Sequence, residues 1–455
     1  MSLKTFFGIL PPRLLYSDMP SPAETLEMPA RLTLLWAGQT QSDIATSVGD
    51  NIKTGQDIAG FGKGPFISNA TGRIEEFSAF QGHDGKESLA LSISPNPKDT
   101  FDHSLTSLDD FSKIDPQELR SAINRAGFTA LSSISSDPSV WPSVDTVVIT
   151  ALDNDLLCIS NQQALRDNAD QLEDIIQVLL KATKASRCIL AVPENLSDIV
   201  RNISPSQASV VRVPPVYPKG LPEMLARDCG AGFLMKKTNA GIIGNTIVVS
   251  VEHAAAMAAC LKEGKVFTEK TITFSSGKNG SLKNYRVRIG TPISEVLKKA
   301  GVELQPKGKL ILNGIMQGYA CFSDEQPITA TTQSIHVQLP SETYLFEDIA
   351  CLNCGKCSAI CPVNLEVNLL GRFAEYGIFD KCRKLGAENC IECGLCAYVC
   401  PAHRPLVQFI GNARHILETE QIEELSMQEA MVCDSCDHPC EAIRLFDTSD
   451  EENTK

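Results

Sequence analysis

Long apolar runs are missing from this chain. Nowhere do about 18 consecutive apolar residues occur, the least a membrane-crossing helix needs. The most apolar stretch, Thr246 to Leu261, is broken by Glu252 and His253. No direct membrane span is expected. Positive charge is also scarce: 41 Lys and Arg against 55 Asp and Glu leave a net charge of −14, with no basic cluster. That balance argues against nucleic acid as a partner. Phosphate-binding turns are lacking too, since no G-x-G-x-x-G follows a strand-like run and no G-x-x-x-x-G-K occurs, so nothing points to nucleotide hydrolysis. The start, MSLKTFFGILPPRLL, has an apolar run cut short by Pro11 and Pro12, too brief for a signal peptide. Residues 1–29 are expected as an extended arm.

Cysteine, by contrast, is abundant. Of 17 cysteines, twelve lie between Cys351 and Cys440. Their spacing is of the metal-binding kind and needs free thiols, hence a reducing, cytoplasmic setting. Two runs stand out, CLNCGKCSAICP from Cys351 and CIECGLCAYVCP from Cys390, with 28 residues between Cys361 and Cys390. Each has the C-x2-C-x2-C-x3-C-P order. Three thiolates on a tight loop cap three corners of a cubane, and in two-cluster ferredoxins the fourth cysteine ligates the other cluster. Cys351, Cys354, Cys357 and Cys400 are therefore assigned to one [4Fe–4S] cluster, and Cys390, Cys393, Cys396 and Cys361 to a second. A pair of zinc sites would use two C-x2-C hooks and leave the fourth cysteine and its proline unexplained. Gly355 and Gly394 allow backbone amides near sulfur, while Leu352, Ile360, Ile391, Leu395 and Val399 are expected to exclude water. Residues 364–388 place apolar side chains at helical intervals with breaks at Gly371, Gly377 and Gly386, predicting two short helices and an α-helical ferredoxin.

A chain of 455 residues is too long for one core. The expected fold class is multidomain α/β and α+β. Residues 30–98 alternate in short runs that predict a β-sandwich. Within them VGDNIKTGQDIA and ATGRIEEF resemble the biotinyl/lipoyl hammerhead, but Phe61-Gly62-Lys63-Gly64-Pro65 lacks the methionines that flank a carrier lysine, so a structural barrel is expected. Residues 115–265 alternate helix and strand, with helices at Pro116–Ala126, Asn161–Ala185 and His253–Glu263, which predicts a Rossmann-like parallel α/β layer. Residues 266–340 return to strands around one helix, as a β-grasp (SLBB-type) unit would. The ferredoxin domain is placed at 341–415. Residues 416–455 follow as an exposed helix, a cysteine motif and an acidic tail.

This order of parts resembles the RnfC family, one of the components of the Rnf electron-transport complex. Tyr217-Pro218-Lys219-Gly220, Arg286 to Leu297, Asn313-Gly314-Ile315-Met316-Gln317-Gly318 and Cys390 to Gln408 carry the resemblance, which spans about residues 30–415. It implies an iron–sulfur electron-transfer subunit of an ion-translocating oxidoreductase complex. Such a protein would sit on the cytoplasmic face of the cell membrane, held by membrane subunits, with ferredoxin or a cytochrome as electron partner. The acidic balance suggests a basic docking face on that partner.

Members of the dehydrogenase type hold flavin and nicotinamide with a G-G-A-G-F-P-T turn and an acidic loop. Here Asn124 and Arg125 replace the two glycines before Ala126-Gly127-Phe128-Thr129, and the loop reads Thr150 to Leu156 with Asp153 and Asp155. A β-carbon at each former glycine obstructs a phosphate, so a degenerate site of Arg125, Gly127, Phe128, Asp153 and Asp155 is expected, without FMN or NADH. The two aspartates are expected to be solvated on a surface loop. The alternative is an NADH:acceptor (ferredoxin) oxidoreductase subunit with FMN in a divergent pocket and Arg125 as its cation. A third reading is a docking scaffold with structural clusters. Cys433, Cys436 and Cys440 in C-x2-C-x3-C spacing leave open a third iron–sulfur site, a zinc site or free thiols, with Cys382, His438 or a partner as fourth ligand.

Overall fold

In a computed structural model, the residues described are 10–14, 22–60, 65–82, 85–102, 105–108, 110–128, 144–204, 208–231, 242–243, 245–277, 280–343 and 349–430. The chain divides into two compact units, Pro11–Leu345 and a second made of Phe346–Lys455 with Met1–Leu10.

In the larger unit, β1 (Glu24–Thr25) is followed by β2 (Leu32–Ala37), β3 (Asn51–Ile52), β4 (Gly72–Gln81) and β5 (Glu87–Pro95). The last four form an antiparallel sheet in the order β2-β5-β4-β3. Its strands alternate as a half-buried sheet requires, with Ile74 inward and Arg73 and Glu75 outward. Residues 61–64, which include Lys63, lie outside the described residues.

The next layer begins with α1 (Pro116–Arg125). Asp115 caps it, accepting the Gln117 N–H at 2.8 Å, and Pro116 occupies a first-turn position that needs no N–H. Then come β6 (Thr146–Thr150), α2 (Ser160–Asp167), α3 (Leu172–Thr183), β7 (Arg187–Pro193), β8 (Ser209–Val213), α4 (Pro222–Ala226), β9 (Ile242–Ile243), β10 (Thr246–Ser250) and α5 (Val251–Glu263). The sheet order is β8-β7-β6-β10-β9, parallel except for β9. Central β6 is buried at every position because it is covered on both faces. One face packs on Leu119 and Ile123 of α1, Ile175 and Leu179 of α3, and Met257 and Leu261 of α5. The other meets Leu225 of α4. The single helix expected over Asn161–Ala185 is two. Asn168 ends α2 by bonding the Ala164 carbonyl through its own amide at 2.8 Å, the local competition that short polar side chains offer a helix.

The third sheet uses β11 (Glu269–Ser276), β12 (Lys283–Arg288), β13 (Lys309–Leu312), β14 (Tyr319–Cys321) and β15 (Ser334–Gln338), with α6 (Ile293–Ala300) packed on it. Its order is β1-β12-β11-β15-β13-β14. The N-terminal arm thus adds an edge strand, and farther back Tyr217 N–H bonds the Pro12 carbonyl at 2.9 Å.

In the smaller unit α7 (Lys356–Ile360), α8 (Val367–Glu375), α9 (Phe379–Lys384), α10 (Leu395–Tyr398) and α11 (Leu406–Ala430) surround a core of Val367, Leu370, Cys382, Leu406, Ile410 and Leu417. The helix expected after residue 415 is the outer part of α11. Leu406, Ile410, Ala413 and Leu417 keep one buried face at helical spacing across residue 415, so the boundary drawn there cuts a continuous element. Among the described residues, no helix is long and apolar enough to cross a membrane.

Candidate iron–sulfur site

The two cysteine runs fold as two copies of one backbone pattern. In each, the residue two after the first cysteine is left-handed (Asn353, φ 53°; Glu392, φ 51°), and so is the glycine two further on (Gly355, φ 71°; Gly394, φ 79°). The first turn returns an amide to sulfur: Asn353 N–H to Cys351 Sγ and Glu392 N–H to Cys390 Sγ, both at 3.4 Å. Glycine at the second position starts a one-turn helix, α7 or α10, that carries the third cysteine. The fourth cysteine follows each helix, and after its proline the chain turns left-handed again at Asn364 (φ 57°) and His403 (φ 46°).

Two pockets result. One is lined by Cys351, Cys354, Cys357 and Cys400. The other is lined by Cys361, Cys390, Cys393 and Cys396. Each fourth cysteine faces the pocket of the opposite loop. Among the described residues, no three His, Cys, Asp or Glu side chains converge as on a single metal ion. Thiols that ring a volume could instead hold a cubane, whose iron atoms are separate corners. Burial pushes the Cys390 thiol up to about 11 and Cys393 to about 12. Loading metal there must therefore displace protons.

The pockets differ in their walls. Cys354 is exposed, and Leu352, expected to exclude water, is 63% exposed. It lies in the non-helical turn between Cys351 and Cys354, ahead of α7. Around the second pocket Cys393 is 8% and Leu395 1% exposed. Lys356, Arg372 and Arg404 border the first pocket. Glu392 borders the second and pairs with Arg414 at 3.0 Å. Sequence reading missed these charges, although Lys356 and Glu392 stand between the cysteines themselves. Cys382, offered as a ligand for the tail motif, is buried in the helical core with no exposure, its thiol 3.9 Å from the Leu370 carbonyl. Cys433, Cys436 and Cys440 lie outside the described residues.

The residues of the degenerate nucleotide site are not gathered in one place. Gly127 borders a cavity of about 630 Å³ together with Trp36, Phe66, Asn69, Asn124 and Ile328. No charged residue appears among its described lining residues. Phe128 is fully buried instead, stacked on Phe267 at 4.7 Å and edge-on to His253 at 5.2 Å. Burial, then the nearby Lys270 charge, lowers His253 to about 4, so this ring is neutral at pH 7. Arg125 is exposed.

Asp153 and Asp155 do not border that cavity, and they are not solvated: 0% and 2% of each is exposed. Backbone donors draw both inward. Asp153 accepts the Asn161 N–H at 2.8 Å, at the start of α2. Asp155 accepts the N–H groups of Ile315, Met316 and Gln317 at 2.9, 3.1 and 3.0 Å. The phrase Asn313 to Gly318 is therefore a nest of amides around the chain's own carboxylate. Gly314, at φ 104°, makes the approach possible, because a β-carbon there would stand 2.1 Å from Asp155 Cγ.

Burial pushes Asp153 up from 3.8 to about 7. The folded state then keeps a proton that the unfolded state has released, so stability falls as pH rises from about 4 to 7. Three pKa units correspond to roughly 4 kcal/mol at most. Asp153→Asn should flatten the decline of the thermal midpoint between pH 5 and 8. An unchanged slope would show that another group sets it.

Residues 343–401 match the family model of a 4Fe-4S dicluster domain, which marks the segment with both cysteine runs as an iron–sulfur module. Over 185 residues the chain is 37% identical to the C subunit of the ion-translocating oxidoreductase complex of Methanosarcina acetivorans, covering 41% of each protein. Over 385 residues it is 24% identical to the C subunit of the Na+-translocating ferredoxin:NAD+ oxidoreductase complex of Acetobacterium woodii, covering 80% of this chain and 86% of that one. A solved NAD+-reducing [NiFe]-hydrogenase chain, in the H2-reduced state, matches at a TM-score of 0.39 and 14% identity, over 67% of this chain and 65% of that one. Over most of its length, then, the chain resembles the RnfC-type component of the ion-translocating oxidoreductase complexes.

Proposed function

We propose that this chain is an electron-transfer subunit of a membrane-associated ion-translocating oxidoreductase complex, working through two [4Fe–4S] clusters and without NADH oxidation of its own. The observation that carries this reading is the pair of pockets, each ringed by three cysteines of one loop and the fourth of the other. Cubanes held there would accept and release one electron at a time. The chain's own part is to fix eight thiolates, return amides to sulfur from Asn353 and Glu392, and cover the second site with Leu395, Val407 and Ile410. No substrate bond is made or broken. Anaerobic reconstitution followed by iron analysis tests it: about eight irons per chain in this module are expected. Zinc in their place would overturn it.

The absence of NADH chemistry rests on the turn at Asn124 to Phe128. A flavin phosphate needs converging amides or cations, whereas the cavity at Gly127 has an uncharged described lining and Phe128 fills the neighbouring space. NADH should leave the cluster absorbance unchanged, and purified protein should contain no stoichiometric FMN. Rapid bleaching by NADH alone would favour the second reading, an NADH:acceptor oxidoreductase with FMN in that cavity, whose size of about 630 Å³ is the observation in its favour.

Ferredoxin or a cytochrome is the proposed electron partner, on the cytoplasmic membrane face. With no described helix able to cross a bilayer, attachment falls to partner subunits. Their deletion should move the protein to the soluble fraction, and continued sedimentation with stripped membranes would contradict this.

A further inference from the structure

The two pockets are alike in backbone and unlike in charge. Three cations and no carboxylate stand among the described lining residues of the Cys351 pocket. Arg404 is offset by its ion pair with Glu375, while Lys356 and Arg372 have no carboxylate partner among the described residues. Among the described residues two positive charges are left in excess there. At the Cys361 pocket Glu392 is the only charged residue among the described lining residues. Its partner Arg414, which also bonds the Cys390 carbonyl at 2.7 Å, is shared with Glu418 at 3.1 Å, so one negative charge is left in excess.

Reducing a [4Fe–4S] site adds one negative charge and makes or breaks no bond. Nearby cations favour that charge, carboxylates oppose it, and water stabilises it. Charge and exposure act in the same direction here, since Cys354 is open to solvent and Cys393 is not. One term opposes them. Among the described residues, amide–sulfur bonds from Leu365 to Cys361 and from Glu392 to Cys390 belong to the covered site, against that from Asn353 to Cys351 at the open one. One extra neutral dipole is weaker than a difference of about three unit charges over similar distances.

Building on the two-cluster reading above, we infer that Lys356 and Arg372 set the Cys351 site at the higher reduction potential and Glu392 sets the Cys361 site at the lower. The exposed site is then the one that holds the first electron. Ionic strength should narrow the gap, because Lys356 and Arg372 are only partly buried and salt screens them.

The test is an anaerobic dithionite titration of the reconstituted full chain, followed by electron paramagnetic resonance. Two centres of different midpoint are expected. Lys356→Gln with Arg372→Gln should lower the higher midpoint by about 59 mV, a tenfold change in its one-electron equilibrium, and leave the other in place. Glu392→Gln should raise the lower midpoint. Lys356→Gln alone, on the edge of a pocket it does not close, gives the smaller shift if the double variant fails to assemble. Two centres whose midpoints ignore all three changes, or respond in the opposite order, would overturn the inference. A single centre, or none, would instead overturn the two-cluster reading beneath it.

Discussion

Cys361→Ser protein, reconstituted without oxygen, should lose the iron held by the Cys390 loop and keep that held by the Cys351 loop, although Cys361 belongs to the latter in sequence. Cys400→Ser should do the reverse. Cys361 borders the pocket of Cys390, Cys393 and Cys396, and its Sγ also accepts the Leu365 N–H at 3.4 Å. Cys400 borders the pocket of Cys351, Cys354 and Cys357. Each substitution removes one thiolate of four, so about four of about eight irons should go. Iron per chain, with resonance spectra of the remaining centre, measures it. Loss of the centre on the mutated residue's own loop would rule out the crossed arrangement.

A comparably large effect is expected in the larger unit, which holds neither cysteine run. Asp155→Ala leaves the amides of Ile315, Met316 and Gln317 without their acceptor. An unsatisfied buried donor costs roughly 1–3 kcal/mol; these bonds are half-buried, so a total of about 3–5 kcal/mol is expected as the amides regain water. Gly314→Ala attacks the same contact from the other side. Its β-carbon would fall 2.1 Å from Asp155 Cγ, at a φ of 104° that side chains rarely adopt. Each kcal/mol moves the thermal midpoint of a large domain by about 2–4 °C, so both variants should melt about 10 °C lower or fail to fold. Calorimetry decides, and an unchanged midpoint in either would show that the 313–318 loop does not depend on this carboxylate.

These two sites differ in how well the sequence disclosed them. Ligand chemistry imposes short, fixed spacings, so eight cysteines could be grouped by counting residues, and glycines at 377 and 386 punctuated the helices between them, whereas Gly371, expected as a further break, lies buried inside α8. The Asp155 contact spans 160 residues to Ile315. Nothing local distinguishes an aspartate that will be enclosed by a distant amide nest from one that will face water. The same limit explains α11: charge was visible after His415, whereas the buried face of Leu406, Ile410 and Leu417 depends on what packs there. Net charge is uninformative at this scale for a related reason. Between residues 341 and 415 the chain has seven Lys and Arg against eight Asp and Glu, so the −14 of the whole chain does not describe the module that carries the cysteine loops.

The repeated loops have a consequence for dissection of the protein. In an isologous pair, residue i of one half meets j of the other while j meets i. Cys361 at the Cys390 pocket and Cys400 at the Cys351 pocket reproduce that two-fold relation inside one chain. A fragment ending between the loops would keep three cysteines of one ring and lend its fourth to nothing. Two copies of such a fragment, however, could each supply what the other lacks, so the half-module is a self-complementary unit only as a dimer.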